Sequence, residues 1–487
     1  MLHILKYLLL SISTFGCLGV RGSGTHHSHL TICNAIAQAV STKSSVFYPG
    51  NQYTSDNYHW AVSSTINSSC TVEPGTAEDI GKILRILGVT RTPFGVRGAG
   101  HTSNVGFSAT TGVQIAMTRL DEVIYDAKTS IAKIGAGNVW DDVYEGLQPF
   151  NVSVVGGRVS GIGAAGFTLG GGYSYKTNEY GLTIDTVTGF EVVLPIGEVV
   201  FADATQYSDL FFGLKGGFNN FGVMTAIYMK THAETFVWGG SITTTGVDEA
   251  VMAAVLNFYS TVTDPKAAIL PTFNYDSSIG IVSRSLGLFY HAPEPPQGMF
   301  DDFLALPALV QNVSTRSLLS LITAFPEPTG LRGAFHTLSL HTLSSAFLDA
   351  VVNETQFWST QLSPSVPGLF ISYDVEPFLS SYLSHGSPSA WPPSREIALL
   401  PINLYFAWAL PENDTVIHEV MTQSVDYLTE VAIAEGQDIA DAPLYPNYAI
   451  SGVPLEDMYG QNVERLKHIK ATYDPANVMG LTGGWKF

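Results

Sequence analysis

Three consecutive glycines, residues 170–172, constrain this chain more than any other feature of its sequence. They closely follow residues 161–166 (GIGAAG), which fit the G-x-G-x-x-G pattern of dinucleotide-binding Rossmann domains. That pattern requires a helix that begins within it and holds a pyrophosphate at its N-terminus. Three glycines in a row cost too much backbone entropy for a helix to pass through. The sequence therefore disfavours a Rossmann domain and favours a glycine loop that lies against a ligand.

The size and charge of the chain exclude several function classes. Its 487 residues are enough for more than one domain, and 45% of them are hydrophobic, as in ordinary globular proteins. Lys and Arg number 23 against 42 Asp and Glu, which leaves a net charge of −19. Such a negative field repels phosphate backbones and anionic membranes, so we expect no nucleic-acid partner.

The N-terminus has the pattern of a secretory signal peptide, which we place at residues 1–22. Lys6 supplies the positive charge, residues 7–20 are apolar, and small residues follow near a cleavage site. The apolar run is shorter than the roughly 18 residues that a membrane span needs, and no later segment is long enough. We therefore expect a secreted, soluble monomer without a membrane anchor.

Cysteine usage agrees with an oxidising compartment. Cys17 leaves with the signal peptide, so Cys33 and Cys70 are predicted to form a single disulfide. No further ligands are spaced for a metal site, and none is predicted. Five Asn-X-Ser/Thr sequons are candidate glycosylation sites, namely Asn67, Asn151, Asn312, Asn353 and Asn413.

Hydrophobic periodicity predicts short strands mixed with helices and no regular βαβ repeat, which indicates an α+β fold. Thr76 is a candidate N-cap for an amphipathic helix over 76–88. After residue 232 the glycine clusters become rarer, and strand-like runs of alternating residues appear between short proline-rich segments. The pattern predicts a second domain over 233–441, followed by a helix over 459–470.

The segment Arg97-Gly98-Ala99-Gly100-His101 follows a predicted strand. Glycines at such a position let backbone N–H groups converge on anionic oxygens and leave the histidine exposed at the end of the loop. A lone histidine is more often a hydrogen-bonded structural residue, so this segment alone does not establish a function.

Several motifs in a fixed order change that interpretation. The loop at 97–101, the segment 169–185, the segment 209–223 and the C-terminal segments 445–448 and 459–477 resemble flavoproteins of the vanillyl-alcohol-oxidase and berberine-bridge-enzyme superfamily. The resemblance covers residues 70–230 and 445 to the end. Residues 233–441 are recognisable only by their place and length.

The resemblance implies an FAD-binding domain of the PCMH type, built from both ends of the chain (23–232 and 442–487). A substrate domain with an antiparallel sheet and helices (233–441) is inserted between them. It also implies that His101 carries FAD through a single covalent bond to the 8-methyl carbon of the isoalloxazine, which raises the potential of the flavin. The residues expected to contact FAD are Arg97, Gly98, Ala99, Gly100, Ser103, Gly161, Gly166, Gly171, Ile184, Asn220, Val223 and Asn447.

Three positions depart from the family. Val159 stands where doubly tethered members carry cysteine, so a second covalent bond is excluded. Phe167 replaces a histidine beside the flavin and removes one hydrogen bond to the reduced ring. Ile162 stands where family members that react fast with dioxygen usually carry valine. The alternative interpretation is that the Ile162 side chain only packs against its neighbours. Whether dioxygen or another acceptor reoxidises the flavin therefore stays open.

Tyr448 is the candidate catalytic base, because the family points to the second tyrosine of the Tyr-x-Asn-Tyr segment. A tyrosine with a pKa near ~10 needs neighbours that stabilise its phenolate. The alternative role of Tyr448 is to pack beneath the flavin ring. Tyr445 is the alternative base and a candidate for contact with substrate.

These observations predict an FAD-dependent oxidoreductase that accepts hydride from an alcohol or a reduced ring. A role in fungal secondary metabolism is preferred by analogy alone, with a secreted carbohydrate oxidase as the alternative. Two rivals remain: a cyclase that uses FAD only as a scaffold, and a flavin-binding protein without catalysis.

Overall fold

The computed structural model describes residues 24–324 and 330–487, with side chains in the first helix described from residue 29 onward. The predicted signal peptide, residues 1–22, lies outside the described residues. Among the helices of these two ranges, none is long and apolar enough to cross a membrane.

The strands of the described residues form four sheets. They are β1 (Ser45–Phe47), β2 (Cys70–Glu73), β3 (Phe94–Arg97), β4 (Val113–Ala116), β5 (Val123–Asp126), β6 (Ile131–Gly135), β7 (Val152–Ser153), β8 (Val187–Val193), β9 (Val199–Ala202), β10 (Val223–Lys230), β11 (His232–Ala233), β12 (Val237–Thr244), β13 (Ala267–Asp276), β14 (Ile281–Tyr290), β15 (Val310–Arg316), β16 (Arg332–Leu340), β17 (Phe370–Val375) and β18 (Leu400–Trp408).

The helices alternate irregularly with these strands, as an α+β fold requires. They are α1 (Gly24–Ala39), α2 (Asn51–Asn57), α3 (Ala77–Thr90), α4 (Trp140–Leu147), α5 (Ala164–Leu169), α6 (Thr177–Tyr180), α7 (Ser208–Leu214), α8 (Asp248–Thr261), α9 (Asp301–Leu304), α10 (Leu318–Ile322), α11 (Ser345–Leu362), α12 (Asp414–Ala434), α13 (Leu455–Tyr459) and α14 (Val463–Tyr473).

The N-terminal half contains three sheets, the smallest of which is the antiparallel pair of β7 and β11. A four-stranded mixed sheet has the order β1-β2-β4-β3, and a five-stranded antiparallel sheet has the order β5-β6-β10-β8-β9. Helix α3 begins at the predicted N-cap, because the Thr76 hydroxyl accepts a hydrogen bond from the Asp79 amide at 3.2 Å. Its apolar stripe, with Ile80 and Leu84, is fully buried.

The predicted disulfide joins Cys33 on α1 to Cys70 on β2. Helix α1 also packs on α3. The bridge closes 37 residues of chain, so it restricts the unfolded state and ties the first helix to the four-stranded sheet.

The segment between β11 and α12 is dominated by one seven-stranded antiparallel sheet, in the order β15-β12-β14-β13-β17-β18-β16. Helix α11 packs on β13 and β17, helix α12 packs on β16 and β18, and α8 packs against α11. The side chains toward these helices are apolar, as with Tyr373 and Phe406. The opposite face carries polar side chains at alternate positions, because side chains in a strand alternate between the two faces.

The C-terminus returns to the N-terminal half. Helix α14 packs on α7. The Asn220 amide nitrogen donates to the Trp485 carbonyl at 2.8 Å, and the Phe487 amide donates to Asn220 Oδ1 at 3.3 Å. The two ends of the chain therefore contribute to one body of structure, with the seven-stranded sheet between them in sequence.

Two expectations from the sequence need correction. A helix does begin within the G-x-G-x-x-G segment, because α5 spans residues 164–169, but it ends at Gly170 as the glycine run requires. The predicted helix over 459–470 begins only at Val463, as α14, and runs to Tyr473, because α13 ends at Tyr459 and the backbone turns at Gly460 with a φ of 47°.

Candidate active site

The loop after β3 has the form of an anion-binding loop. Among the described residues, no acceptor is found for any backbone N–H group from residue 98 to residue 103. Gly100 has a φ of +78°, and a Cβ there would lie 2.7 Å from Arg97 Nε. A row of unpaired N–H groups in such a turn is the geometry that binds phosphate oxygens.

The glycine segment 161–166 packs against this loop. A Cβ on Gly163 would lie 2.8 Å from the Ala99 Cβ, so the two backbones approach more closely than side chains allow. Gly161 and Gly166 are exposed, and a Cβ on either would meet nothing within 4 Å. These two glycines therefore border open space on the side of the loop.

His101 lies at the end of the loop in an aromatic environment. Its ring stacks on Trp60, with centroids 4.4 Å apart and planes 11° apart. Its Nε2 atom is buried and has no hydrogen-bond partner among the described residues. Burial lowers the pKa of His101 to about 4, so the imidazole is neutral at physiological pH.

These features fit the flavin that the family resemblance implies. The unpaired N–H groups suit a pyrophosphate, the open space beside Gly161 and Gly166 suits a flat ring system, and the neutral imidazole keeps a lone pair for a bond to carbon. No group of three or more His, Cys, Asp or Glu in the described ranges could hold a metal ion.

The C-terminal Tyr-x-Asn-Tyr segment contacts the glycine run. The Tyr445 hydroxyl accepts hydrogen bonds from the Gly172 amide at 2.9 Å and from Asn447 Nδ2 at 2.7 Å. Asn447 Nδ2 also donates to the Phe167 carbonyl at 3.0 Å. Tyr445 is fully buried, burial raises the pKa of its hydroxyl, and that hydroxyl holds the glycine backbone in place.

Tyr448 belongs to a hydrogen-bonded cluster with the buried side chains of Glu376 and Arg158. Its hydroxyl donates to Glu376 Oε1 at 2.9 Å and accepts from Arg158 Nη2 at 3.0 Å. Arg158 Nη1 lies 2.7 Å from Glu376 Oε2. Burial and then the Glu376 carboxylate raise the pKa of Tyr448 well above 10. Burial opposes the charge on Arg158, but Glu376 outweighs it and raises the pKa of the guanidinium.

Phe335 connects the two halves of the site. Its ring centroid is 6.3 Å from that of His101 and 6.1 Å from that of Tyr448. His101 and the cluster of Tyr448, Glu376 and Arg158 therefore border the same region of the molecule.

A polar row on β17 leads into this cluster. Ser372, Asp374 and Glu376 share one face of the strand, and Asp374 lies opposite Asn403 of β18. Asp374 Oδ1 accepts from the Ser372 hydroxyl at 2.5 Å, and its Oδ2 accepts from Asn403 Nδ2 at 2.9 Å. Burial raises the pKa of Asp374 to about 6. Asn403 Oδ1 is buried and has no partner among the described residues.

The other predicted contact residues have varied surroundings. The Ser103 hydroxyl accepts from the Phe335 amide at 3.3 Å, and Arg97 Nε donates to the Tyr58 carbonyl at 2.8 Å. The Ile184 amide donates to the Gly171 carbonyl at 3.0 Å. Val223 is buried at the start of β10. The amide of Asn220 is engaged by Gly217, Trp485 and Phe487, so its side chain holds the C-terminus in place.

The positions that depart from the family have ordinary structural contacts. The Phe167 ring packs edge-on against Trp140 at 5.5 Å, and the Ile162 carbonyl accepts from the Trp140 amide at 3.0 Å. Val159 is half-buried.

Four residues of this site were missed in the sequence: Trp60, Arg158, Asp374 and Glu376. Asp374 and Glu376 carry a detectable signal, because they alternate with apolar residues in the stretch 370–377, which ends in a proline. Arg158 is the only charged residue in the stretch 152–172. Trp60 has no signal of its own, since it lies outside every motif.

Comparison with known proteins agrees with this geometry. The family model "FAD binding domain" matches residues 68–203, and the model "Berberine and berberine like" matches residues 445–482. The FAD-dependent monooxygenase drtC of Aspergillus calidoustus is 30% identical over 446 residues, which cover 88% of this chain and 84% of that protein. The FAD-dependent monooxygenase macF of Penicillium terrestre is 30% identical over 441 residues, with coverages of 86% and 81%.

Solved structures share the fold at lower sequence identity. The 6-hydroxy-D-nicotine oxidase of Arthrobacter nicotinovorans superposes with a TM-score of 0.76 at 19% identity, covering 91% of this chain and 98% of that one. The carbohydrate oxidase of Microdochium nivale superposes with a TM-score of 0.72 at 20% identity, covering 92% and 97%.

Proposed function

Because this chain belongs to the FAD-linked oxidoreductases of the vanillyl-alcohol-oxidase and berberine-bridge-enzyme superfamily, we propose that it oxidises a hydroxyl-bearing small molecule at the cluster of Tyr448, Glu376 and Arg158. The observation that carries the proposal is the hydrogen bond from the Tyr448 hydroxyl to Glu376, made beside a buried guanidinium. FAD supplies a two-electron acceptor for hydride when it is bound.

The loop at 97–103 holds the cofactor, and His101 tethers it. The unpaired N–H groups of residues 98–103 would hold the pyrophosphate, and Gly161 and Gly166 would leave room for the ring system beside the backbone. The neutral His101 ring is a nucleophile, since its lone pair is free of protons at neutral pH. A single bond is proposed, because Val159 offers no second nucleophile.

Glu376 is the terminal base, and Tyr448 passes the proton to it. Tyr448 is a neutral phenol in the resting site, because its pKa lies well above 10. It therefore accepts the substrate hydroxyl proton only as its own proton moves to Glu376, 2.9 Å away. Arg158 stabilises the negative charge on either partner, since it reaches both. Such proton transfer contributes about 10²- to 10⁴-fold to a rate.

The polar row on β17 favours substrates that donate hydrogen bonds. Each oxygen of Asp374 accepts one bond from the protein, so each retains a free lone pair. The unpartnered Asn403 Oδ1 is a further acceptor. An alcohol or a polyol can satisfy these groups, whereas a carboxylate would be repelled by Asp374.

The biological role proposed is secondary metabolism, supported by relatives that are fungal FAD-dependent monooxygenases at 30% identity. A carbohydrate oxidase is the second candidate, supported by the polar row and by the shared fold of the Microdochium nivale enzyme.

Export through a signal peptide, glycosylation and a monomeric state are part of the same proposal. The asparagines of four sequons (67, 151, 312 and 353) are exposed, which supports their modification.

The test is anaerobic mixing of the purified protein with benzyl alcohol, cellobiose and a tetrahydroisoquinoline, while the yellow flavin band is followed. The proposal predicts that an alcohol bleaches the band and that dioxygen or another acceptor restores it. In Tyr448→Phe the bleaching slows at least a hundredfold. Tyr373→Phe is the matched control, because this buried tyrosine lies on the opposite face of β17 and bonds to Ser424.

Each remaining outcome contradicts the proposal in its own way. Substrate turnover without bleaching would identify a flavin-scaffolded cyclase. No bleaching with any compound would favour a flavin-binding protein without catalysis. Equal loss in Tyr448→Phe and Tyr373→Phe would remove Tyr448 from the chemistry.

A further inference from the structure

Trp60 lies outside every motif of the sequence, yet it covers the ring of His101. The indole is 9% exposed and comes from the segment before β2. Its plane is 11° from that of the imidazole and 9° from that of Phe335, so three rings are nearly parallel.

The three centroid distances define how these rings are arranged. Trp60 is 4.4 Å from His101 and 5.5 Å from Phe335, and those two rings are 6.3 Å apart. Rings on opposite faces of the indole would be about 7 Å apart or more, because each contact needs about 3.5 Å. His101 and Phe335 therefore lie side by side on the same face of Trp60.

The position of the indole is itself fixed by the backbone. The Trp60 amide donates to the Gly100 carbonyl at 3.0 Å, and Val62 donates to the Leu331 carbonyl at 2.9 Å. The preceding His59 is fully buried, with Nε2 bonded to the Ser108 hydroxyl at 2.7 Å and Nδ1 to the Asn57 carbonyl at 2.9 Å. The segment 57–62 is thus attached both to the loop of His101 and to the strand that carries Phe335.

We propose that Trp60 is a positioning residue that holds the His101 ring in the orientation from which it bonds to the flavin. The inference rests on the proposed tether. Rotation of the imidazole about its Cβ–Cγ bond would break the stacking on Trp60. The lone pair used for the bond lies in the plane of the imidazole, so a stacked face leaves it free.

Formation of the bond between His101 and the flavin removes two hydrogens and one electron pair. The imidazole exchanges its ring hydrogen for a bond to the flavin methyl carbon, and that methyl group loses one hydrogen. The two hydrogens and the electron pair leave to dioxygen as hydrogen peroxide. An orientation that keeps the nitrogen near the methyl carbon speeds this step, because positioning converts a rare encounter into a frequent one.

The experiment compares total flavin with acid-stable flavin in purified wild type, Trp60→Leu, Trp60→Phe and Trp408→Leu. Trp408 is the matched control, because it is fully buried but bonds to Asp414 on the helix-covered side of the sheet. We expect Trp60→Leu to bind FAD while its covalent fraction falls at least fivefold. Trp60→Phe, which keeps a ring for stacking, should stay within twofold of wild type. Trp408→Leu should lower the melting temperature and leave the covalent fraction unchanged.

Three results would overturn the inference while leaving the tether intact. They are a wild-type covalent fraction in Trp60→Leu, an equal fall in Trp408→Leu, and loss of all flavin from Trp60→Leu alone, which would make Trp60 part of cofactor binding. Release of flavin from the wild type by acid would instead remove the tether, and this inference with it.

Discussion

The hydroxyl of Tyr448 donates a hydrogen bond of 2.9 Å to Glu376, although 72 residues separate the two along the chain. Because the phenol keeps its proton at neutral pH, the pair acts as one unit for proton transfer. Glu376→Gln and Tyr448→Phe should each slow flavin reduction by about 10²-fold or more. The double variant should be little slower than either single one, which stopped-flow absorbance can measure. Multiplicative losses would show that the two residues act separately.

Removal of the Arg158 charge should destabilise the protein, because the same cluster holds the buried Glu376 carboxylate. Its side chain is 9% exposed and that of Glu376 is 1% exposed, so Arg158→Met leaves a buried carboxylate without its partner. We expect a loss of about 3–5 kcal/mol in the free energy of unfolding. The double variant Arg158→Met/Glu376→Leu should recover most of that loss, as followed by urea denaturation. A double variant no more stable than Arg158→Met would contradict the pairing.

Asp374 should make substrate binding depend on pH. Burial raises the pKa of this carboxyl to about 6, so it is an acceptor above that pH and is protonated below it. Binding of the alcohol that best bleaches the flavin should therefore weaken as the pH falls through about 6. Asp374→Asn should bind less tightly and lose this dependence. An identical pH profile in the variant would exclude Asp374 from substrate recognition.

His59 should contribute to acid sensitivity. Burial lowers its pKa to about 4, against about 6.5 in an unfolded chain. The unfolded state therefore binds the proton first, and stability present above about pH 6.5 is lost as the pH falls toward 4. The shift corresponds to about 3 kcal/mol for this one group. Melting temperatures measured across that range should fall less steeply for His59→Gln than for wild type. Melting temperatures that fall equally steeply with pH in both proteins would contradict this role of His59.

Local sequence signals predicted the parts of the fold that depend on neighbouring residues. The N-cap at Thr76 and the pairing of Cys33 with Cys70 follow from a pattern within a short window and from the small number of candidates, respectively. The helix that begins at 164 was missed, because six residues between glycines give no clear periodicity.

The site was predicted only where a motif carried it. His101 and Tyr448 were found through the family resemblance, whereas Arg158 and Glu376 were not. Arg158 and Tyr448 are 290 residues apart in the chain, and Glu376 directly follows β17 of the seven-stranded sheet. No local pattern encodes a contact of that separation. The stacking of Trp60 on His101 is of the same kind, since it depends on a loop that crosses to another strand.

The flavin of the purified protein offers the most direct measurement. Wild type and His101→Ala are precipitated with acid, the pellets are washed, and yellow colour and flavin fluorescence are read in pellet and supernatant. We predict that flavin stays with the wild-type pellet and appears in the supernatant of His101→Ala. Flavin in the supernatant of both proteins would contradict the tether at His101, and a colourless wild type would contradict the role of this chain as a flavoenzyme.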